Sequence, residues 1–121
     1  MRILIVDDEK DQLKALDLGL RSNGFETKTA GSADEAISLL DRQSHSVDLV
    51  LTDFVMPGMN GLQLLRAIKK KYPFLPVVIM SAKGTGRLAK NAAESGGEKF
   101  MHKPFLMEEL IREINKIGEK K

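Results

Sequence analysis

Two residue rhythms alternate from one end of the chain to the other. Short apolar runs of strand length occur at 2–6 (RILIV), 25–29 (FETKT), 48–52 (DLVLT), 76–80 (PVVIM) and 98–102 (EKFMH). Between them the apolar residues fall at three- and four-residue steps, the period of a helix with one buried face. Leu13, Leu16 and Leu20 mark a helix over 10–22, and Ile37 and Leu40 one over 34–42. Leu62, Leu65 and Ile68 mark a third over 61–71, and Leu110, Ile111, Ile114 and Ile117 another over 107–117. A more polar stretch near 86–95 fits the remaining helix. Gly84, Gly86, Gly96 and Gly97 surround it, and each would cost up to about 1 kcal/mol in a helix interior, so a short or mobile element is expected there.

Strands alternating with helices imply right-handed β-α-β crossovers, hence a doubly wound α/β domain with helices on both faces of a parallel sheet. Ligands in such folds bind beyond the carboxyl ends of the strands, where the strand order reverses. The residues that end the strands are therefore the candidates for chemistry.

Size and composition narrow the setting. A chain of 121 residues can bury about two-thirds of its unfolded surface, enough for one core, so 1–121 is read as a single domain. No internal repeat, low-complexity tract or Pro/Ser linker divides it. The absence of cysteine excludes a disulfide framework and a thiolate metal site. The apolar run in MRILIVDDEK is too short for a signal peptide, and no later run approaches membrane-spanning length; a cytoplasmic protein without membrane contact is expected. Net charge is +2, but residues 1–60 carry 6 Lys/Arg against 11 Asp/Glu and residues 61–121 carry 13 against 6. The basic side chains are dispersed, with no recognition helix or base-stacking platform, which argues for solvated helix faces over direct nucleic-acid binding. His45 and His102 stand too far from other ligands to suggest a metal site of their own.

The first strand stops at Asp7-Asp8, the third at Asp53 and the fourth at Ser81, and the fifth is followed by His102-Lys103-Pro104. Taken singly, Asp7, Asp8 and Glu9 could cap a helix, Asp53 could open an Asx turn before Pro57-Gly58, Ser81 could sit in a turn, and Lys103 could be a solvated charge. Taken together they crowd carboxylates at one sheet edge, where without a cation they would repel one another. An oxygen-only pocket with room for water suits Mg²⁺, with Mn²⁺ as a substitute. A metal-bound carboxylate facing an ammonium is equipped to receive a phosphoryl group.

These residues carry a family resemblance over essentially the whole chain. ILIVDDE at 3–9, DLVLTDFVMPGMNG at 48–61, VVIMSA at 77–82 and GGEKFMHKPF at 96–105 resemble, in the same order, the receiver domain of bacterial two-component response regulators, the CheY-like superfamily. The resemblance implies a flavodoxin-like (βα)5 three-layer sandwich with strand order 2-1-3-4-5. It implies that Asp53 is the phosphoacceptor, that Asp7, Asp8, Asp53 and the Val55 main-chain carbonyl hold Mg²⁺, and that Lys103 contacts the phosphoryl group. It makes Ser81 the switch hydroxyl and Phe100 the aromatic switch residue, without the hydroxyl of the frequent Tyr, and implies a cis Lys103–Pro104 bond. The phosphodonor would be a sensor histidine kinase or a histidine phosphotransfer protein. The output would be an effector domain or protein on the face of the fourth helix, fifth strand and fifth helix, made basic by Lys83, Arg87, Lys90 and Lys99. Such a domain is not an enzyme beyond assisting its own phosphorylation and dephosphorylation. Val55 and Lys83 occupy the positions that vary with phosphoryl lifetime; because Val55 offers no polar group to orient water, slow self-dephosphorylation is expected. Two other readings are a phosphate-independent receiver-like adaptor and a Mg²⁺-dependent phosphohydrolase working through an aspartyl phosphate. The second would resemble haloacid-dehalogenase-like enzymes, which carry a second Asp where this chain has Val55.

Overall fold

A computed structural model of the chain describes residues 1–82 and 86–119. Lys83 and Gly84, two of the positions weighed above, lie outside the described residues. The elements run in the expected alternation: β1 (Arg2–Val6), α1 (Lys10–Ser22), β2 (Glu26–Ala30), α2 (Ala33–Gln43), β3 (Leu49–Asp53), α3 (Gly61–Lys71), β4 (Val77–Ser81), α4 (Gly86–Glu94), β5 (Lys99–His102) and α5 (Met107–Glu119). One short 3₁₀ turn, Ser44–Ser46, follows α2 and holds His45. The strands pair in parallel in the order β2-β1-β3-β4-β5, as the resemblance implied.

Four strands begin one residue later than the apolar pattern suggests, for local reasons. Phe25 is still engaged with α1, its N–H donating to Leu20 O, while its ring packs on the α1/α5 side. Asp48 turns its carboxylate back to the Arg2 backbone and guanidinium. Pro76 has no N–H to give a ladder. Glu98 spends its carboxylate on the Val77 N–H and on Lys69.

The two sheet faces bury separate cores. On one, Leu4, Val6, Val50, Val77 and Ile79 meet Leu40, Leu64, Leu65, Ile68 and Ala92 of α2, α3 and α4. On the other, Ile3, Ile5, Leu49, Leu51, Val78 and Met80 meet Leu20 of α1 and Leu110, Ile114 and Ile117 of α5. β3 and β4 are buried along their full lengths, the expected state of central strands covered on both faces. Each fully buried Leu or Ile contributes about 1.5–3 kcal/mol of transfer free energy, so this sandwich fixes the sheet edge on which the strand ends converge.

Gly86, Gly96 and Gly97 bound α4 instead of interrupting it. Gly86 is its first residue, and Gly96, at φ +93°, turns the chain so that the Gly96 and Gly97 N–H groups donate to Ala93 O and Ala92 O. The result is a nine-residue helix, the short element expected.

Candidate functional site

β1, β3 and β4 end at the same sheet edge, their last residues held in register with neighbouring strands: Val6 opposite Thr52, Asp53 opposite Met80, and Ser81 opposite His102 of β5. Asp7 follows β1, its N–H still donating to Ala30 O at 3.1 Å. It is buried, whereas Asp8 beside it is exposed. Asp53 closes β3 and is also buried. Carboxylate oxygens of Asp7, Asp8 and Asp53 lie within 4.8 Å of one another.

Helix capping does not account for these acids. The N-cap of α1 is Glu9, whose side chain makes no cap hydrogen bond. Asp7 Oδ1 accepts from Glu9 N–H at 3.0 Å, but Asp7 Oδ2 is buried with no hydrogen-bond partner, the sole such side-chain atom among the described residues. Burial pushes the Asp7 carboxyl above the usual carboxylate range; the Glu9 N–H opposes this, and the Asp53 charge adds to it. A buried carboxylate oxygen left unpartnered beside two more acids costs free energy unless a cation meets it. One cation present is Lys103, whose Nζ lies 3.0 Å from Asp53 Oδ1. The unpartnered Asp7 oxygen, the all-oxygen donor set and the exposed Asp8 together fit a hard divalent ion such as Mg²⁺.

Lys103 comes from the loop after β5. Its backbone N–H donates to Ser81 O at 2.9 Å, so the fourth and fifth strand ends are tied together, and the Lys103–Pro104 peptide is cis. Ser81 is fully buried at the end of β4. Val55 stands two residues beyond Asp53 and is about half exposed, at 53%. Phe100 is the sequence-predicted residue set apart from this group. Half-buried on β5, it packs on the α2–α4 side of the sheet, its ring edge-on to His102 with centroids 6.0 Å apart. Of the basic residues expected on the neighbouring face, Arg87 and Lys90 are exposed, while Lys99 pairs with Glu113 at 3.6 Å. The charge of Lys99 is thus partly offset within the domain.

Three further contributors shape the site: the start of α3 at Gly61, the turn that leads into it, and a relay to Lys103. Gly61 N–H donates to Phe54 O at 2.8 Å, closing the loop that follows Asp53. A Cβ at Gly61 would fall 2.5 Å from Asp53 O and 2.9 Å from Phe54 Cα, so only glycine lets α3 start this close to the Asp53 backbone. The Pro57-Gly58 turn has Gly58 at φ +74°, and Asn60 caps α3 in a reciprocal capping box with Gln63. Gln12, on the first turn of α1, reaches Lys103 and is held by the N-cap residue Glu9: Lys103 Nζ donates to Gln12 Oε1 at 2.7 Å, and Gln12 Nε2 donates to Glu9 Oε2 at 2.6 Å. The glycine after Asn60 was visible as a helix start. Gln12 carried no signal, because a polar residue on the outer face of an amphipathic helix looks like any other.

The family model of the response regulator receiver domain matches residues 3–115. The chain belongs to that family. Among solved structures, the receiver domain of NtrX from Brucella abortus matches with a TM-score of 0.90 at 36% identity, covering 98% of this chain and 99% of that one. The CheX–CheY–BeF3–Mg²⁺ complex from Borrelia burgdorferi matches at TM-score 0.93 and 28% identity, covering 98% of this chain and 89% of that one. Among curated relatives, the transcriptional regulatory protein GlrR of Escherichia coli is 38% identical over 113 residues, 93% of this chain and 25% of that protein. The chain therefore spans about a quarter of the length of the curated relatives it matches. As a receiver domain it is a signalling module, and no helix of its described residues is long and apolar enough to cross a membrane.

Proposed function

We propose that this receiver domain is a phosphorylation-dependent switch that accepts a phosphoryl group on Asp53 from a phosphohistidine of a sensor kinase or histidine phosphotransfer protein. The observation that carries the reading is the buried, unpartnered Asp7 Oδ2 beside an Asp53–Lys103 pair. A phosphate-independent adaptor would have no use for either feature. Asp7, Asp8 and Asp53, with the Val55 carbonyl, would hold Mg²⁺, as the resemblance implies. When bound, that ion offsets negative charge on the transferring phosphoryl oxygens.

The chain's own groups do the rest. An Asp53 carboxylate oxygen attacks phosphorus; the P–N bond to the imidazole breaks as the P–O bond forms, and the electron pair returns to the ring nitrogen. Lys103, already at Asp53 Oδ1, pairs with the new oxygens, and the Ser81 hydroxyl donates to one of them. Because Lys103 N–H is bonded to Ser81 O, a shift of either residue moves both the β4 and β5 ends. Phe100, on β5, repacks with them, and the face of α4, β5 and α5 changes for an effector domain or protein. The whole chain, 1–121, works as one receiver unit in the cytoplasm, without turning over an external substrate.

The test is addition of beryllium fluoride with Mg²⁺, a stable stand-in for an acyl phosphate, followed by amide NMR. Shifts at residues 7, 8, 53, 81 and 103 that extend to Phe100 are expected. Shifts confined to solvent-exposed residues away from Asp53 would contradict the reading.

A further inference from the structure

Lys103 is held from two sides. Its ammonium carries three donors; one meets Asp53 Oδ1 at 3.0 Å and another meets Gln12 Oε1 at 2.7 Å. The far end of the Gln12 amide is fixed in turn, since Nε2 donates to Glu9 Oε2 at 2.6 Å. The sense of this chain is unambiguous. Lys103 can only donate and the Glu9 carboxylate can only accept, so the amide must present its oxygen to the one and its nitrogen to the other. A flipped amide would set an NH₂ against the ammonium and a carbonyl against the carboxylate. Glu9 is a poor choice for the N-cap of α1 and makes no cap bond there; fixing Gln12 gives its carboxylate a use.

From this geometry we infer that Gln12 is a positioning residue for phosphoryl transfer: it steers the Lys103 ammonium onto the Asp53 side and keeps that flexible side chain from swinging into solvent. The inference rests on Asp53 being the phosphoacceptor. A charge pre-set where negative oxygens will arrive costs no reorganisation when the phosphoryl group transfers. Glutamine suits the task because it accepts from Lys103 without adding a second carboxylate that would compete with Asp53 for the ammonium. Leu16 and Ala15 of the same helix, with Met80, Pro104 and Phe105, line an apolar groove beside the Lys103 stem, so the aliphatic part of Lys103 is guided as well as its head.

The experiment compares Gln12→Met, which keeps the unbranched shape and removes the acceptor, with Lys103→Met and with the double variant. The rate of acid-labile adduct formation from acetyl phosphate and Mg²⁺ is followed by mass spectrometry, and the Lys103 ammonium by ¹⁵N NMR. Gln12→Met is expected to slow the adduct about three- to tenfold, the loss of one exposed hydrogen bond to a charged group, and to speed exchange of the Lys103 ammonium protons. In the Lys103→Met background the same change is expected to have no further effect, because Gln12 acts only through Lys103. An unchanged rate and unchanged Lys103 signal in Gln12→Met, or an equal slowing with Lys103 already removed, would overturn the inference while leaving the phosphoacceptor reading intact. Failure of the unsubstituted protein to form any adduct would overturn both.

Discussion

Lys103 Nζ and Asp53 Oδ1 form a 3.0 Å pair at the sheet edge, with only 19% and 12% of their side chains exposed. The pair joins the end of β3 to the loop after β5, and its ammonium partly offsets three converging carboxylates. Removing Lys103 therefore subtracts both a charge balance and a ready partner for incoming phosphoryl oxygens. Lys103→Met should slow formation of the Asp53 adduct from acetyl phosphate on the order of a hundredfold, measured as a single-exponential rate by intact mass. An unchanged rate would mean that the ammonium plays no part in transfer.

Gly61 lies against the Asp53 backbone. A methyl group there would press on Asp53 O and Phe54 Cα, both backbone atoms, which cannot move aside as a side-chain tip can. Gly61→Ala should destabilise the domain by about 1–3 kcal/mol through overpacking and slow adduct formation, because relief of the clash displaces Asp53. Urea denaturation checks the first part. A midpoint equal to that of the unsubstituted protein would show that the loop yields freely.

On the proposed reading, Val55 sets how long the phosphoryl group lasts. The residue is 53% exposed, and its apolar side chain offers water no hydrogen bond. Val55→Asn adds an amide able to orient a hydrolytic water, and should shorten the half-life of the Asp53 adduct several-fold at constant Mg²⁺. A half-life that stays the same or lengthens would contradict the slow-release reading.

Away from the site, Asp41 gathers the Tyr72 hydroxyl at 2.6 Å and the Lys71 ammonium at 2.9 Å. These bonds, the Tyr72 one first, hold the Asp41 carboxyl below its usual range, and Asp41 in turn raises the Tyr72 phenol. A lowered folded-state carboxyl stabilises above its unfolded pKa, an effect lost as pH falls through the lowered value. A raised phenol stabilises below its unfolded pKa, and that effect is lost as pH rises through the raised value. Tyr72→Phe should thus lower the urea midpoint at neutral pH, with the difference shrinking at acid pH and again at strongly alkaline pH. A pH-independent difference would point to lost packing alone.

Much of this was legible in the sequence because it rests on periodicity. The apolar runs and three- and four-residue steps mark which faces must be buried, and burying them on both sides of a parallel sheet brings Asp7, Asp53 and Ser81 to one edge. The strand starts were less legible, since Phe25, Asp48, Pro76 and Glu98 are set by single hydrogen bonds or a missing N–H. Gly86, Gly96 and Gly97 bound a helix of nine residues, the short element that their spacing implied. Gln12, which matters through a relay, was hidden because a polar helix residue has no pattern to betray it, and Gly61, legible as a helix start, gave no sign of its close approach to the Asp53 backbone. The Lys99–Glu113 pair likewise joins residues on different elements, and no count of charges along the chain could anticipate it.

The central claim is that Asp53 takes up a phosphoryl group. It is tested most directly by incubating the protein with acetyl phosphate and Mg²⁺, then measuring intact mass and mapping the modified peptide, with Asp53→Asn in parallel. The account predicts one acid-labile phosphoryl group per chain, located on Asp53, dependent on Mg²⁺ and absent from Asp53→Asn. A folded protein that gains no such group, or gains it equally in Asp53→Asn, would contradict it.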